Sequence, residues 1–356
     1  MKNNMTVMSL PAKPQAKTNI GLMFAPLLME IIANKTKSNK MITLNTLHTY
    51  VSSKDYVDVY LNDLKNFDVH FDEYYEDSVH SEELIGILRE LIEKKIIVEK
   101  ETEIYSCKCG KVDFIKNGLC FNGGKLYSKN DSSLVCNECC SQVCLETRKV
   151  LVLNYSDLNE NVRVFPEFLK KEMNYFVELF NNQDILISKS RDTGNYIVLN
   201  DTKYNIDIEF IWSQLYGINN DDKIMIASNH QVYVMFMMNM LNRLYGKSEC
   251  AFVLTPYMDN DTKFENFNTK FEELSSVHKK LFLFYSLNWK KKTCSWDLGT
   301  YKKIKRLSLE DANKLYSYIC REIEYDTLDE LMDLLNIFFI KESNIDKNLN
   351  KIKELI

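Results

Sequence analysis

Two pairs of closely spaced cysteines are the clearest chemical signal in this sequence. The pairs are Cys107–Cys109 and Cys136–Cys139, and 26 residues, 110–135, lie between them. Two pairs that each supply two thiolates are typical of a tetrahedral four-cysteine zinc site. Three further thiols, Cys120, Cys140 and Cys144, could replace a member of the second pair. The spacing predicts a structural zinc ion that holds this part of the chain together, with buried free thiols as the alternative.

The segment between Pro11 and Gly21 could bind a phosphate group. It carries Lys13 and Lys17 and leads from a short apolar run, residues 5–10, into a pattern of helical period. A helix N-terminus with ammonium groups nearby is a suitable place for an anion. The segment contains neither a GxGxxG fingerprint nor a P-loop, so an ordinary polar loop is the alternative.

The elements around this segment predict an α/β domain. The patterns are a strand at 5–10, a helix at 20–33 and a second strand at 41–45, followed by amphipathic helices at 54–67 and 81–95. A strand, a crossover helix and a second strand are the unit of a parallel sheet. A nucleotide-binding type of domain is therefore the expected fold.

The later part of the chain changes twice in composition and in the periodicity of its apolar residues. Residues 105–147 contain the cysteine pairs with little helical periodicity, which indicates an insertion folded around an ion. The sheet domain is expected to resume with a helix at 166–181, strands at 184–188 and 223–227, and a buried helix at 232–245. From residue 269 onward the pattern is helical, including 326–340.

Composition excludes several classes of protein. The chain has 356 residues, of which 45 % are hydrophobic and 27 % charged, so extensive disorder is excluded. Its net charge of −5 is not that of a polycation that binds nucleic acid through bulk charge. The longest apolar run, 232–241, is interrupted by Asn239 and is too short to span a membrane. The N-terminus lacks the apolar stretch of a secretory signal, and we expect a cytoplasmic protein.

Short motifs occur in the order found in a known family. Asn19–Leu22 opens the first helix, Tyr105–Cys107 leads into the cysteine pairs, Phe210–Gly217 contains Trp212, and 258–267 contains a lysine. Further matches in the same order are Phe165–Leu169, Ile187–Gly194, Ala227–His230 and Leu281–Phe284. Over residues 5–290 the chain resembles the catalytic core of class I aminoacyl-tRNA synthetases, nearest to the methionyl enzymes, with some likeness to the cysteinyl enzymes.

The resemblance implies an adenylate-forming ligase. Such a protein activates an amino acid or other carboxylate with ATP and Mg²⁺ and transfers it to tRNA or to a small amine. The implied catalytic residues are Asn19 and Lys263, the nucleotide-binding residues Lys13, Lys17, Gly21 and Thr262, the substrate-binding residues His48, Trp212, Gln214 and His230, and the zinc ligands Cys107, Cys109, Cys136 and Cys139. The basic segment 290–306 is a candidate tRNA contact.

The resemblance also implies a domain division. A Rossmann-type parallel sheet would be built from residues 1–100 and 151–268, with a zinc-binding connective insertion at 101–150 and a helical C-terminal domain at 269–356. Only about 90 residues follow the second signature, which leaves little room for a large anticodon-binding domain. A paralogue with a specialised acceptor therefore fits better than a housekeeping enzyme.

Several positions depart from the family pattern. Asn19 and Leu22 replace the two signature histidines, and Asp259 and Asp261 put negative charge where a triphosphate would lie. The carboxylate that holds the substrate's ammonium group is absent from residues 45–49. The alternatives are therefore a catalytically inactive paralogue that binds a nucleotide, an RNA or a protein, and an unrelated zinc-containing α/β protein. The sequence leaves open the carboxylate, the acceptor and the oligomeric state.

Overall fold

The computed structural model describes residues 4–47, 54–108, 113–115, 127–130, 133–136, 139–154, 162–180, 183–189, 194–218, 221–245, 248–258, 264–341 and 344–354. The strands in chain order are β1 (Met5–Ala12), β2 (Asn39–Leu44), β3 (Glu73–Glu76), β4 (Ile97–Ser106), β5 (Asp113–Ile115), β6 (Tyr127–Asn130), β7 (Ser133–Cys136), β8 (Cys144–Asn154), β9 (Val164–Phe165), β10 (Asp184–Leu186), β11 (Ser188–Lys189), β12 (Tyr196–Leu199), β13 (Thr202–Ile206), β14 (Asp222–Ser228), β15 (Cys250–Thr255), β16 (Tyr257–Met258) and β17 (Thr293–Cys294).

The α-helices are α1 (Phe24–Thr36), α2 (Val57–Asn66), α3 (Ser81–Glu93), α4 (Lys170–Phe180), α5 (Ile208–Ser213), α6 (Val232–Tyr245), α7 (Phe264–Lys270), α8 (Ser276–Ser286), α9 (Leu298–Lys305), α10 (Leu309–Ile319), α11 (Leu328–Lys341) and α12 (Ile345–Glu354). Short 3-10 helices span Ile20–Met23, Lys54–Tyr56, Glu167–Leu169, Gln214–Gly217 and Asn229–Gln231. No helix in these described ranges is long and apolar enough to cross a membrane.

A six-stranded parallel sheet forms the centre of the molecule. The strand order is β3-β2-β1-β14-β15-β9, and every neighbouring pair is parallel. Helices must cover both faces of such a sheet, so the central strands are apolar on both sides. Val7 and Met8, adjacent in β1, are both fully buried and belong to different core clusters. The predicted α/β fold with a Rossmann-type parallel sheet is confirmed.

The helices divide between the two faces of the sheet. On the face that includes Val7, Ile224 and Ile226, the core is completed by α1, α2 and the helices from α7 to α12. On the face that includes Met8 and Met225, it is completed by α3, α4, α5 and α6. The chain after β1 therefore leaves the sheet on one face, and the chain after β14 leaves it on the other.

The insertion is framed by one long antiparallel pair. β4 and β8 pair over ten residues, from Ile97 opposite Leu153 to Ser106 opposite Cys144. β10 pairs with the other edge of β8, so it belongs to this antiparallel sheet and not to the parallel one. The sequence analysis was wrong to put residues 184–188 in the parallel sheet. Alternation of apolar residues indicates a strand but does not identify its partner.

A buried ionic cluster joins the C-terminal helices to the first helix of the sheet domain. Nζ of Lys280 in α8 lies 3.0 Å from Oε2 of Glu30 in α1, and the hydroxyl of Tyr316 in α10 donates to the same oxygen at 2.9 Å. Lys280 also donates to the backbone carbonyl of Asp68. Lys280 is 2 % exposed and Glu30 is 4 % exposed, so neither charge has solvent to replace a lost partner.

Candidate functional site

The change of face between β1 and β14 creates a crevice at the carboxyl edge of the sheet. Neighbouring parallel strands whose following segments leave on opposite faces form a topological switch point, where open α/β sheets bind their ligands. Here those segments are residues 13–19 after β1 and the 3-10 helix Asn229–Gln231 after β14. His230, a predicted substrate-binding residue, belongs to that 3-10 helix.

Asn19 is the N-cap of the short helix that leads into α1. Its side-chain oxygen accepts a hydrogen bond from the backbone N–H of Gly21 at 2.8 Å. A Cβ at position 21 would lie only 3.2 Å from the same oxygen, and glycine avoids this close contact. One N–H that a helix start could offer to an anion is thus satisfied by the protein itself. The backbone carbonyl of Leu22 accepts from the buried hydroxyl of Tyr60 at 3.1 Å.

Lys13 follows β1 directly, and Lys17 lies two positions before Asn19, the N-cap residue. Lys13 is partly buried, and this burial lowers the pKa of Lys13 from its ordinary value. Lys17 is exposed. Both lysines therefore belong to the segment between β1 and the first helix start, where the sequence analysis predicts a phosphate site.

A buried carboxylate network lies at the same edge, beyond the end of β2. Oδ1 of Asp77 accepts hydrogen bonds from the backbone N–H of Thr46 at 2.7 Å, its hydroxyl at 2.9 Å and the N–H of Leu47 at 3.1 Å. Oδ2 accepts from the indole N–H of Trp212 at 3.2 Å. Asp77 is 1 % exposed, and this burial raises the pKa of its carboxyl although its hydrogen bonds lower it. Asp77 therefore ties together two segments that are distant in sequence.

Sequence reasoning identified Trp212 but not Asp77. The signal for Asp77 was the polar run Glu76–Ser78, which begins at the last residue of a short strand, β3. That strand, β3, was itself not predicted. Gln214, two residues beyond Trp212, is fully buried, and neither its Nε2 nor its Oε1 has a hydrogen-bond partner within the described residues.

Three of the residues predicted for catalysis or for nucleotide or substrate binding lie outside the described residues. They are His48, Thr262 and Lys263.

We predict that Asp77→Asn lowers the free energy of unfolding by about 1–3 kcal/mol. The amide N–H₂ of the variant would face the indole N–H of Trp212, so two donors would meet without an acceptor. Because the pKa of Asp77 is raised in the folded state, the folded protein binds more protons than the unfolded protein between the unfolded and folded pKa values. The contribution of Asp77 to the free energy of unfolding therefore falls as pH rises through that window.

Urea unfolding at a series of pH values from about 4 to 7 would measure both effects. The Asp77→Asn variant should lack the part of the pH slope that Asp77 contributes. Asp333→Asn, at an exposed position in α11, is the matched control and should change neither quantity. Identical pH slopes in the wild type and in Asp77→Asn would contradict this prediction.

The cysteine cluster forms a candidate metal centre. The Sγ atoms of Cys107, Cys136 and Cys139 lie within 4.8 Å of one another, and those of Cys107 and Cys139 are 4.0 Å apart. Zinc–sulfur bonds of about 2.3 Å at tetrahedral angles put thiolates about 3.8 Å apart, so the donor set fits zinc. The fourth predicted ligand, Cys109, lies outside the described residues.

Local backbone structure brings these thiols together. Cys107 follows β4 and Cys136 ends β7, and the turn after Cys136 is closed by two backbone hydrogen bonds. These bonds run from Cys140 N–H to the Cys136 carbonyl at 2.8 Å and from Cys136 N–H to the Ser141 carbonyl at 3.0 Å. Cys140 and Cys144, two of the three alternatives left open by the sequence, are exposed and lie outside the cluster. The third, Cys120, lies outside the described residues.

The basic segment at 290–306 is partly neutralised. Lys292 pairs with Glu172, Lys303 pairs with Asp346, and Lys305 pairs with Glu273 at 3.3 Å. These carboxylates interrupt the cationic run that the sequence suggested as a tRNA contact.

The doubly wound parallel sheet, the switch-point crevice and the inserted cysteine module define a Rossmann-like α/β protein. No protein-family model and no curated protein matches the sequence. Solved structures do match the fold, and those described below are of Mycobacterium tuberculosis methionyl-tRNA synthetase.

A crystal structure of that enzyme bound by methionyl-adenylate has a TM-score of 0.66 at 13 % identity, covering 88 % of this chain and 70 % of that chain. A second structure, in complex with methionyl-adenylate, has a TM-score of 0.64 at 12 % identity and covers 98 % of this chain and 81 % of the other. The free-state enzyme has a TM-score of 0.63 at 12 % identity, with 88 % and 68 % covered. At this identity the likeness concerns the fold.

Proposed function

We propose that this protein binds ATP and an amino acid or related carboxylate at the switch-point crevice, and activates the carboxylate as an adenylate for transfer to tRNA or a small amine. The observation that carries the proposal is the crevice itself, with Lys13 and Lys17 after β1 and the Asp77–Trp212 network at the same edge of the sheet. Two of the solved structures with a similar fold hold methionyl-adenylate.

In this proposal the residues around the crevice have different roles. Lys13, Lys17 and Thr262 meet the phosphates, Gly21 lets the helix start approach the nucleotide, and Asn19 and Lys263 stabilise the leaving pyrophosphate. Cationic and donor groups at that position are worth several kcal/mol of the barrier. Mg²⁺ would arrive with ATP, whose phosphate oxygens are its preferred ligands.

The substrate pocket would be lined by His48, Trp212, Gln214 and His230. Residues 45–49 lack the carboxylate that holds an ammonium group in the family, but Asp77 brings a carboxylate to Thr46 from the next strand. Within the described residues, Trp212 is the donor to Oδ2 of Asp77, and that oxygen can accept a further hydrogen bond. This supports a substrate with an amino group.

The structural part of the proposal is a zinc ion bound by Cys107, Cys109, Cys136 and Cys139. It would hold the insertion at 101–150 between the two halves of the Rossmann-type core, 1–100 and 151–268, with 269–356 as the helical C-terminal domain. The zinc would stabilise the fold and take no part in the reaction.

A catalytically silent module that binds the same ligands is the second candidate, and one observation favours it. The side-chain oxygen of Asn19 is already bound to Gly21 N–H, in a position where the family carries a histidine. A site that has lost its donors would keep the affinity for an adenylate and lose the acceleration of pyrophosphate release.

Titration calorimetry of the zinc-loaded chain with ATP and with a non-hydrolysable methionyl-adenylate analogue would test the proposal. We expect submillimolar binding of the analogue, and amino-acid-dependent exchange of pyrophosphate into ATP that falls at least about tenfold in Lys263→Ala and Asn19→Ala. Lys302→Ala, an exposed lysine on α9, is the control and should keep full exchange. Binding without exchange would favour the silent module, and no binding of either ligand would contradict both candidates.

A further inference from the structure

A second cavity lies beside the crevice and has no role in the proposed function. It has a volume of about 750 Å³ and lies between the segment after α8, residues 287–297, and the end of α11. Ligand pockets of small molecules are typically about 300–1,000 Å³. The volume of this cavity is large enough for a ligand of the size of a nucleotide.

The cavity is fixed to the carboxyl edge of the parallel sheet. The backbone carbonyl of Lys292 accepts from the side-chain amide of Asn229, after β14, at 2.6 Å, and from the N–H of Tyr257, after β15, at 2.8 Å. β17, which includes Cys294, pairs with β16. The walls therefore belong to the rigid part of the molecule and not to a free loop.

The polar groups of the wall are mainly donors. Lys290 and Lys291 line the cavity, and neither ammonium has a carboxylate partner within the part of the chain that the structure describes. The hydroxyls of Thr293 and Ser295 lie in the same lining. Among the described residues of the wall the one acidic side chain is Asp297, which turns its carboxylate to the start of α9 and accepts from three donors there.

Two buried groups of the wall strengthen this positive character. Burial raises the pKa of the Cys294 thiol to about 11, so this side chain adds no negative charge near neutral pH. The indole of Trp289 is 3 % exposed and lies between Phe165 and Phe339, at centroid distances of 4.9 and 4.7 Å. Its N–H has no acceptor within the described residues. A buried donor without an acceptor is costly, which favours a ligand that supplies one.

A small anion fits this wall better than an RNA strand. An RNA surface needs cations along several successive phosphates, and the neighbouring Lys292, Lys303 and Lys305 are held by carboxylates. Lys290 and Lys291, which have no carboxylate partner within the described residues, both line this one cavity, as recognition of a single phosphoryl group requires.

We propose that this cavity binds a small phosphate-bearing ligand, with Lys290 and Lys291 neutralising the phosphoryl group and Trp289 and the wall hydroxyls donating to its oxygens. The site is separate from the crevice, so it does not depend on the proposed function.

The three tryptophans of the chain provide a direct test. The full-length protein would be labelled with ¹⁵N in the indoles and titrated with inorganic phosphate and with adenosine monophosphate. We expect a saturable shift of the Trp289 indole signal, assigned by Trp289→Phe, while Trp296, which packs against Phe282, reports on the core. Trp212 reports on the crevice, so a shift confined to Trp212 would show crevice binding alone and would overturn the cavity site.

Charge variants of matched size complete the test. The double variant Lys290→Met with Lys291→Met should bind the ligand with about tenfold lower affinity. The control, Lys302→Met with Arg306→Met, removes the same charge from exposed positions on α9 and at its C-cap, and should leave the affinity unchanged. Equal affinities for phosphate and adenosine monophosphate would identify the phosphoryl group as the recognised part, and tighter binding of the monophosphate would add the nucleoside. Equal losses in both double variants, or displacement of the monophosphate by an unphosphorylated oligoribonucleotide, would overturn the proposal.

Discussion

Lys280→Met is expected to lower the free energy of unfolding by about 3–5 kcal/mol. The substitution keeps the size of the side chain and removes the ammonium group that lies 3.0 Å from Glu30. Glu30 is 4 % exposed, so its carboxyl group would lose its cation in a place where water cannot replace it. The loss comes mainly from the carboxylate that remains, since the pair itself gains little over apolar side chains of similar volume.

Chemical denaturation of two variants would check this prediction. Lys314→Met removes a lysine from an exposed pair with Glu310, at 2.7 Å, and should cost about 0–1 kcal/mol. A double variant, Lys280→Met with Glu30→Met, should recover much of the lost stability because no buried charge remains. Equal costs for Lys280→Met and Lys314→Met would show that the cluster is open to water in solution.

Cys136→Ser is expected to abolish stoichiometric metal binding. The wild-type chain should retain about one zinc ion after dialysis, and the variant should retain none, because a serine hydroxyl does not replace a thiolate ligand. Structural zinc contributes about 10–16 kcal/mol of apparent binding free energy to small modules, so the insertion should also lose its fold. Metal analysis would report the first effect, and limited proteolysis between residues 107 and 144 the second.

The spare thiols of the sequence provide the controls. Cys140→Ser and Cys144→Ser change exposed cysteines outside the cluster and should leave both metal content and proteolysis unchanged. Cys109→Ser should behave like Cys136→Ser if Cys109 is the fourth ligand. Loss of zinc in Cys140→Ser or Cys144→Ser would show that the ligand set differs from the one proposed.

Part of the fold could be read from local sequence patterns. β1, β2, β14 and the helices α1 to α4 and α6 have apolar periodicities that differ clearly from those of their neighbours, and their positions were predicted within a few residues. β15 was missed although it is an interior strand of the sheet, because a short apolar run has no period that distinguishes a strand from a helix.

The sequence by itself determined the kinds of chemistry available to this protein. It fixed the two cysteine pairs, the lysines between Pro11 and Gly21, and the segment Asn19–Leu22 that opens the first helix. These are properties of residue type and short spacing, which do not depend on the arrangement of distant segments.

Only the tertiary structure decided which residues share a site. Asp77 meets Trp212 across 135 positions of sequence, and Cys107 meets Cys139 across 32. Within the described residues Lys290 and Lys291 have no carboxylate partner, whereas Lys292, Lys303 and Lys305 are held by carboxylates elsewhere in the chain. Strand order and the face on which each helix packs set these contacts, and local periodicity carries no information about either.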